Sequence, residues 1–287
     1  MSGVGFVGLG WIGRPMAARL VDAPRGLVVF DVDPAACADC EQAGATRADS
    51  PRQLAEMCDV VSVMVRDDAQ VRAVFTGPDG LLAGAAPGCV LVIHSTIHPS
   101  TAVELAELAA PGGVSVLDAP VSGGPGGAKE GRLAIMVGGD PDAFERARVV
   151  LDRMGDLVVH IGPVGYGTRA KLTRNAVHFI SFAATTEAQR LAEAAGVDLQ
   201  LLGRIVRHTD AITGGPGSIM WRDRTGPLDP EDSWYPIFDN VRKLGEKDLT
   251  LAIELAEQLG VDTPLARMAL GVLGPGLGIA SGERTDG

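Results

Sequence analysis

The start of the chain places a glycine-rich turn between a short apolar run and a helix, and this arrangement restricts the fold more than any other feature. Val4–Val7 predicts a strand, the next six residues read G-x-G-x-x-G, and Pro15–Val21 predicts a helix. Proline suits a first helical turn, where its missing N–H group costs no hydrogen bond. A strand, glycine turn and helix in this order are typical of an α/β domain that binds a dinucleotide.

Short β-branched runs continue to alternate with helical patterns up to about residue 160. Further strands are predicted over Leu27–Phe30, Asp59–Val65, Cys89–Ile93, Val114–Asp118 and Leu133–Val137, and helices over Ser100–Ala110 and Pro141–Met154. This alternation predicts a mostly parallel sheet with crossover helices.

The pattern changes near residue 162. No Gly or Pro occurs in the 28 residues Thr168–Ala195, which predict a helix of about 42 Å. Helices are also predicted over Leu199–His208 and Lys247–Leu259, around a loop-rich segment at Thr213–Pro236, and the tail Ser281–Gly287 is expected to fray. The expected fold is a Rossmann-like α/β domain at residues 1–162 and an all-α domain at residues 163–287, joined by a long interdomain helix.

The glycine turn and the second strand together predict a nicotinamide dinucleotide site. The expected pyrophosphate loop contains Gly8, Gly10, Trp11, Ile12 and Gly13. Asp31 follows 18 residues after Gly13, near the spacing of an acid that binds the adenosine ribose. A 2′-phosphate would meet both Asp31 and Asp33, so we expect NAD in preference to NADP. A glycine turn without a ligand is the structural alternative.

Composition and charge exclude several classes of partner. The net charge of −11 argues against a general nucleic-acid binder and against docking on an anionic membrane. Neither an apolar stretch of about 18 residues nor a basic leader is present, and the cysteines lack disulfide-framework spacing, so we expect a cytoplasmic protein. Cys37 and Cys40 form a C-x-x-C, interpreted as two helix-surface cysteines. The five histidines show no convincing metal pattern, and no metal is expected.

Three later segments carry residues suited to chemistry. His94–Pro99 follows a predicted strand, at the end where ligands bind in open α/β sheets. Asp118–Gly127 offers successive small residues whose exposed N–H groups suit an anion such as a carboxylate. Lys171, Asn175 and His178 share one face of the long helix.

The chain resembles the β-hydroxyacid dehydrogenase family, typified by 3-hydroxyisobutyrate dehydrogenase and tartronate semialdehyde reductase. The matching segments are GFVGLGWIGRPMA (5–17), STIHP (95–99), DAPVSGGPGGAKEG (118–131), GYGTRAKLTRN (165–175) and KDLTLA (247–252). They occur in the family's order and cover nearly the whole chain.

This resemblance implies specific roles. Lys171 resembles the lysine that exchanges a proton with the substrate hydroxyl, with Asn175 orienting the substrate beside it. Ser122, Gly123 and Gly124 match the loop that binds the substrate carboxylate. On the cofactor side the matching positions are Val65, Arg66, Gln70, Thr96 and Lys247.

The chemistry of lysine supports the same assignment. Hydride leaves a carbinol carbon only as the hydroxyl proton is removed, and burial lowers the pKa of a lysine toward the working range of a base. The leading hypothesis is therefore oxidation of a small 3-hydroxy acid to its semialdehyde, or the reverse, by a homodimer or homotetramer. Imine reduction and a non-catalytic NAD-binding protein remain as alternatives. His94 and Arg174 depart from the family pattern, and residues 214–236 are not typical of it. The resemblance therefore does not specify which acid is the substrate.

Overall fold

The computed structural model describes residues 3–279. The chain is organised as two compact units, Met1–Asn175 and Ala176–Gly287. This division lies inside one long helix, and the sequence-based boundary after residue 162 stays a prediction.

The first unit is built on one mostly parallel sheet. Its strands within the described residues are β1 (Gly3–Val7), β2 (Leu27–Phe30), β3 (Thr46–Arg47), β4 (Cys58–Val63), β5 (Val90–Ile93), β6 (Ser115–Asp118), β7 (Val121–Ser122), β8 (Ala134–Gly138) and β9 (Leu157–Gly162). The strand order is β3-β2-β1-β4-β5-β6-β8-β7, and β9 pairs with β8. Strands β1 to β6 pair in parallel, whereas β8 runs antiparallel to β6 and β7 and parallel to β9. All six expected strands are present, and β3, β7 and β9 are additional.

Helices flank the sheet and pack into two separate cores. They are α1 (Gly13–Ala18), α2 (Ala38–Gln42), α3 (Pro51–Glu56), α4 (Asp68–Phe75), α5 (Leu81–Gly84), α6 (Pro99–Ala109), α7 (Gly124–Glu130) and α8 (Pro141–Leu151). Successive strand residues alternate between the cores: Val90 and Val92 pack with α1, α2, α7 and α8, whereas Leu91 and Ile93 pack with α3 to α6. This alternation is the normal side-chain period of a strand, so both faces of the sheet are covered.

The interpretation of Cys37 and Cys40 as surface residues is wrong. Their side chains are 0% and 2% exposed and belong to the core beside α1. Burial raises the pKa of both thiols, which disfavours the reactive thiolate. The C-x-x-C is therefore a core element.

The second unit is helical. The long helix α9 (Tyr166–Ala194) runs into it from the first unit, and α10 (Leu199–Thr213), α11 (Tyr235–Leu259) and α12 (Pro264–Gly276) follow. Helix α11 begins 12 residues before the expected start at Lys247, because Pro236 lies in its first turn instead of ending a loop. No helix within residues 3–279 is both long and apolar enough to cross a membrane.

Candidate active site

The three glycines of the G-x-G-x-x-G turn have different steric surroundings. Gly8 has a positive φ of 92°, and a Cβ there would overlap the carbonyl oxygen of Met64. A Cβ on Gly13 would overlap the carbonyl group of Gly8, whereas a Cβ on Gly10 would meet no atom within 4 Å. The outer glycines therefore serve the tight turn and the close packing, and Gly10 presents bare backbone to open space, as a pyrophosphate requires.

Asp31 lies directly after β2, beside the glycine turn. One of its carboxylate oxygens accepts a hydrogen bond from Leu9 N at 2.6 Å, and the other accepts from Asp33 N at 2.9 Å. These bonds fix the carboxylate next to the turn. The next side chain, Val32, is 89% exposed, so the space around the acid is open.

A cleft of about 910 Å³ opens along the carboxyl ends of β1, β2 and β4. Nine of the expected cofactor residues line it: Gly8, Gly10, Trp11, Ile12, Gly13, Asp31, Val65, Arg66 and Gln70. Thr96 is exposed in the loop after β5, and Lys247 lies on α11 of the second unit, where it pairs with Asp248 at 2.9 Å. The cleft has the size and the glycine-rich backbone that fit a dinucleotide.

Two hydrogen-bonded contacts join the loop after β4 to the loop after β5. The buried Ser95 hydroxyl donates to Val65 O at 2.7 Å and accepts from Val65 N at 2.9 Å. Asp68 accepts from His98 N at 3.0 Å. Sequence reasoning missed Ser95 and Asp68, although both lie in or beside segments that it singled out.

Lys171 is buried in the first unit with only 8% of its surface exposed. Its Nζ donates to Val121 O at 2.6 Å and to Ser122 Oγ at 2.8 Å. Burial lowers the pKa of Lys171 to about 8, and the charge of Arg174 acts in the same direction. The structure thus joins Lys171 to the Ser122 loop and gives it a pKa at which it can exchange protons near neutrality.

Asp118 ends β6 and is fully buried. Its carboxylate accepts hydrogen bonds from Gly165 N and Thr168 N, each at 2.6 Å. Burial raises the pKa of this carboxyl group, and the two N–H bonds oppose that rise. The sequence analysis quoted this residue in a motif and assigned it no role.

Two family models match consecutive parts of the chain. Residues 3–162 match the family model described as the NAD binding domain of 6-phosphogluconate dehydrogenase. Residues 165–276 match the model described as NAD-binding of NADP-dependent 3-hydroxyisobutyrate dehydrogenase. A 3-hydroxyisobutyrate dehydrogenase of Pseudomonas aeruginosa is 39% identical over 272 residues, which are 94% of this chain and 90% of that protein. The chain belongs to the β-hydroxyacid dehydrogenase family.

Two mycobacterial proteins are more similar to this chain than the Pseudomonas enzyme is. An uncharacterized oxidoreductase of Mycobacterium tuberculosis is 51% identical over 276 residues, 96% of this chain and 93% of that protein. A crystal structure of an oxidoreductase from Mycobacterium avium is 48% identical with a TM-score of 0.92, covering 97% of this chain and 99% of that one. As a member of this family, the protein is an NAD(P)-dependent oxidoreductase with a Rossmann-like domain and a helical domain.

The loop that follows Asp118 in this dehydrogenase leads to the start of α7. Gly123 and Gly124 have positive φ angles of 134° and 62°, and a Cβ on Gly124 would meet no atom within 4 Å. On α9, the half-buried Asn175 accepts from Arg174 Nη1 at 3.4 Å through its side-chain oxygen. Ser122, Gly124 and Lys171 therefore combine a hydroxyl group, bare backbone and an amine.

His94 is a residue of the interior. Its ring nitrogens contact Ala119 O at 2.8 Å and Ser62 Oγ at 3.1 Å, and burial lowers its pKa to about 4. The ring is therefore neutral at physiological pH and bridges β6 to β4. No group of three metal-ligating side chains occurs in the described part of the chain.

Proposed function

We propose that this dehydrogenase interconverts a small 3-hydroxy acid and its semialdehyde with NAD, and that Lys171 is the general acid and base. One observation carries the proposal: a buried lysine donates to both Val121 O and Ser122 Oγ and has a pKa lowered to about 8. A lysine held in this way is unusual for a surface helix and suits proton transfer near neutral pH.

The proton of the reaction moves at Lys171 Nζ. In the direction of oxidation, NAD held in the cleft beside β1 and β2 would supply the acceptor for the hydride of the carbinol carbon. In the same direction the neutral amine of Lys171 takes the hydroxyl proton, which leaves a carbonyl group on the substrate and an ammonium group on the lysine. In the direction of reduction the ammonium group returns that proton to the carbonyl oxygen.

The loop after β6 is proposed to bind the substrate carboxylate. Ser122 Oγ lies 2.8 Å from Lys171 Nζ, so a group bound at Ser122 is within reach of the amine. Gly123 and Gly124 offer backbone N–H groups to an anion, and Asn175 is proposed to orient the substrate with its side-chain amide.

The cleft beside β1 and β2 is proposed to bind NAD in preference to NADP. Gly10 leaves space for the pyrophosphate, and the fixed Asp31 carboxylate can accept hydrogen bonds from the adenosine ribose. Asp33, whose N–H is bonded to Asp31, adds a second acid that would repel a 2′-phosphate. The remaining cofactor contacts are assigned to Trp11, Ile12, Val65, Arg66, Gln70, Thr96 and Lys247.

The test combines a substrate screen with one substitution. Small 3-hydroxy acids are assayed with NAD and NADP by absorbance at 340 nm, followed by Lys171→Ala on the acid that is oxidised. We expect a loss of about 100- to 10,000-fold in kcat, with the Kd for NADH unchanged. Lys129→Ala, on the exposed side of α7, is the matched control and should retain full activity. Turnover of Lys171→Ala at the rate of the control would refute the assigned role.

We infer that a second copy of this chain covers the helical unit. Helix α10 buries none of its residues Leu199–Thr213, and its exposed apolar side chains include Ile205 at 60% and Ile212 at 73%. A helix with an uncovered apolar face gains stability when that face is buried. We expect a homodimer in light scattering and a monomer for Ile205→Asp; a wild-type monomer at micromolar concentration would contradict the inference.

A further inference from the structure

The buried Asp118 carboxylate joins two segments that are far apart in the sequence. Its two oxygens accept from Gly165 N and Thr168 N, which lie 47 and 50 positions further along the chain. Asp118 ends β6, Gly165 directly precedes α9, and Thr168 lies in the first turn of α9. One side chain therefore attaches the first turn of a 29-residue helix to the end of a central strand.

The chemistry of a helix start makes this attachment strong. The first N–H groups of a helix have no partner within the helix, and the aligned peptide dipoles favour a negative charge there. A carboxylate that accepts two such N–H groups makes charge-assisted hydrogen bonds, which are shorter and stronger than neutral ones. Both bonds of Asp118 are short, at 2.6 Å.

Glycines allow the backbone to close around this carboxylate. A Cβ on Gly138 would overlap the Asp118 carboxylate, and a Cβ on Gly167 would overlap the carbonyl oxygens of Asp118 and Met136. The strand end, β8 and the helix start are consequently in direct contact, with no room for the carboxylate to move.

These contacts form a closed ring that contains Lys171. From Thr168 the helix advances three residues, about 4.5 Å, to Lys171. Lys171 Nζ then donates to Val121 O, and the chain returns from Val121 to Asp118 through two residues. A lysine side chain has a flexible four-carbon stem, so its amine keeps a fixed place only if its helix does.

We propose that Asp118 is a positioning residue, whose buried carboxylate holds the start of α9 so that Lys171 Nζ stays against Val121 and Ser122. The inference rests on the proposed role of Lys171 and adds to it. Asp118 is fully buried, and it acts through the helix.

The test is Asp118→Asn, compared with Glu187→Gln. In Asp118→Asn one acceptor oxygen becomes an NH₂ group facing a backbone N–H, so one of the two bonds is replaced by repulsion between donors. Glu187 is the matched control, because it is 4% exposed and accepts from Leu265 N at 3.0 Å and Ala266 N at 2.8 Å at the start of α12. Both variants lose a buried bond to a helix start, but α12 carries no proposed site residue.

We expect Asp118→Asn to lower kcat by about 10- to 100-fold, the effect of a displacement of about 1 Å at a reacting group. The pH at which the rate levels off should also rise, since a less buried lysine has a pKa nearer its ordinary value. The Kd for NADH should stay within about twofold of wild type. Glu187→Gln should lower Tm by a similar amount and change neither kcat nor the pH profile.

Three results distinguish failure of the inference about Asp118 from failure of the proposed function. If Asp118→Asn lowers Tm but keeps the wild-type kcat and pH profile, Asp118 is only structural and the inference is overturned. If Lys171→Ala keeps turnover, the proposed function fails instead. If Asp118→Asn does not fold, hydrogen exchange of wild-type residues 163–171 decides: exchange as slow as in β5 supports the inference, and exchange as fast as in residues 220–230 overturns it.

Discussion

The pH dependence of oxidation follows from the buried state of Lys171. Only the neutral amine can accept the hydroxyl proton, and its pKa is lowered from 10.5 to about 8, first by burial and then by Arg174. With a pKa of about 8, the neutral fraction is about one tenth at pH 7 and about nine tenths at pH 9. We therefore expect the rate of oxidation to increase about tenfold over this range and then to level off.

An unperturbed lysine would give a different curve. With the ordinary pKa of 10.5, the neutral fraction would still increase about tenfold per pH unit between pH 8 and pH 9. The measurement is kcat/KM for the hydroxy acid between pH 6 and pH 10.5, with saturating NAD, by absorbance at 340 nm. Reduction should show the opposite dependence, because it requires the protonated amine. A rate that continues to increase up to pH 10.5 would refute the assignment.

Arg174 provides a check on the direction of the pKa shift of Lys171. Arg174 lies three residues after Lys171 on α9, and its positive charge lowers the pKa of Lys171. Arg174→Gln removes this repulsion, so protonation of Lys171 becomes easier and its pKa rises toward the ordinary value. Arg174→Lys should leave the profile in place. A shift to lower pH in Arg174→Gln would show that another group titrates.

The sequence predicts those parts of the fold that have their own periodicity or punctuation. The strand Leu27–Phe30 has the predicted bounds, and α9 begins two residues before the expected Thr168. The strands Thr46–Arg47 and Val121–Ser122 were missed because two residues cannot show a period of two; they are strands only because β2 and β8 lie beside them.

The same distinction between local and non-local features applies to the residues of the site. The steric roles of Gly8 and Gly13 follow from a local backbone pattern, so the sequence is sufficient to predict them. The position of Asp118 depends on a helix start about 50 residues away, which no local pattern contains. Burial is equally non-local: the sequence predicts Cys37 on a helix surface and His94 in a segment suited to chemistry, but both side chains lie in the interior.

Two further predictions concern the cofactor cleft. Gly10→Ala and Gly13→Ala should separate binding from stability: a Cβ on Gly10 enters open space and should weaken NADH binding at an unchanged Tm, whereas a Cβ on Gly13 overlaps the Gly8 carbonyl and should lower Tm. Equal Tm values for the two variants would contradict the separate roles assigned to Gly10 and Gly13. Asp31→Ser keeps an oxygen acceptor near Leu9 N but removes the negative charge. Because hydrogen bonds to a charged group contribute about 1.5–3 kcal/mol, we expect the Kd for NAD to increase about 10- to 100-fold. The Kd for NADP should fall, since the carboxylate no longer repels the 2′-phosphate. Calorimetric titration with both dinucleotides measures the ratio, and an unchanged ratio would mean that Asp31 does not select the cofactor.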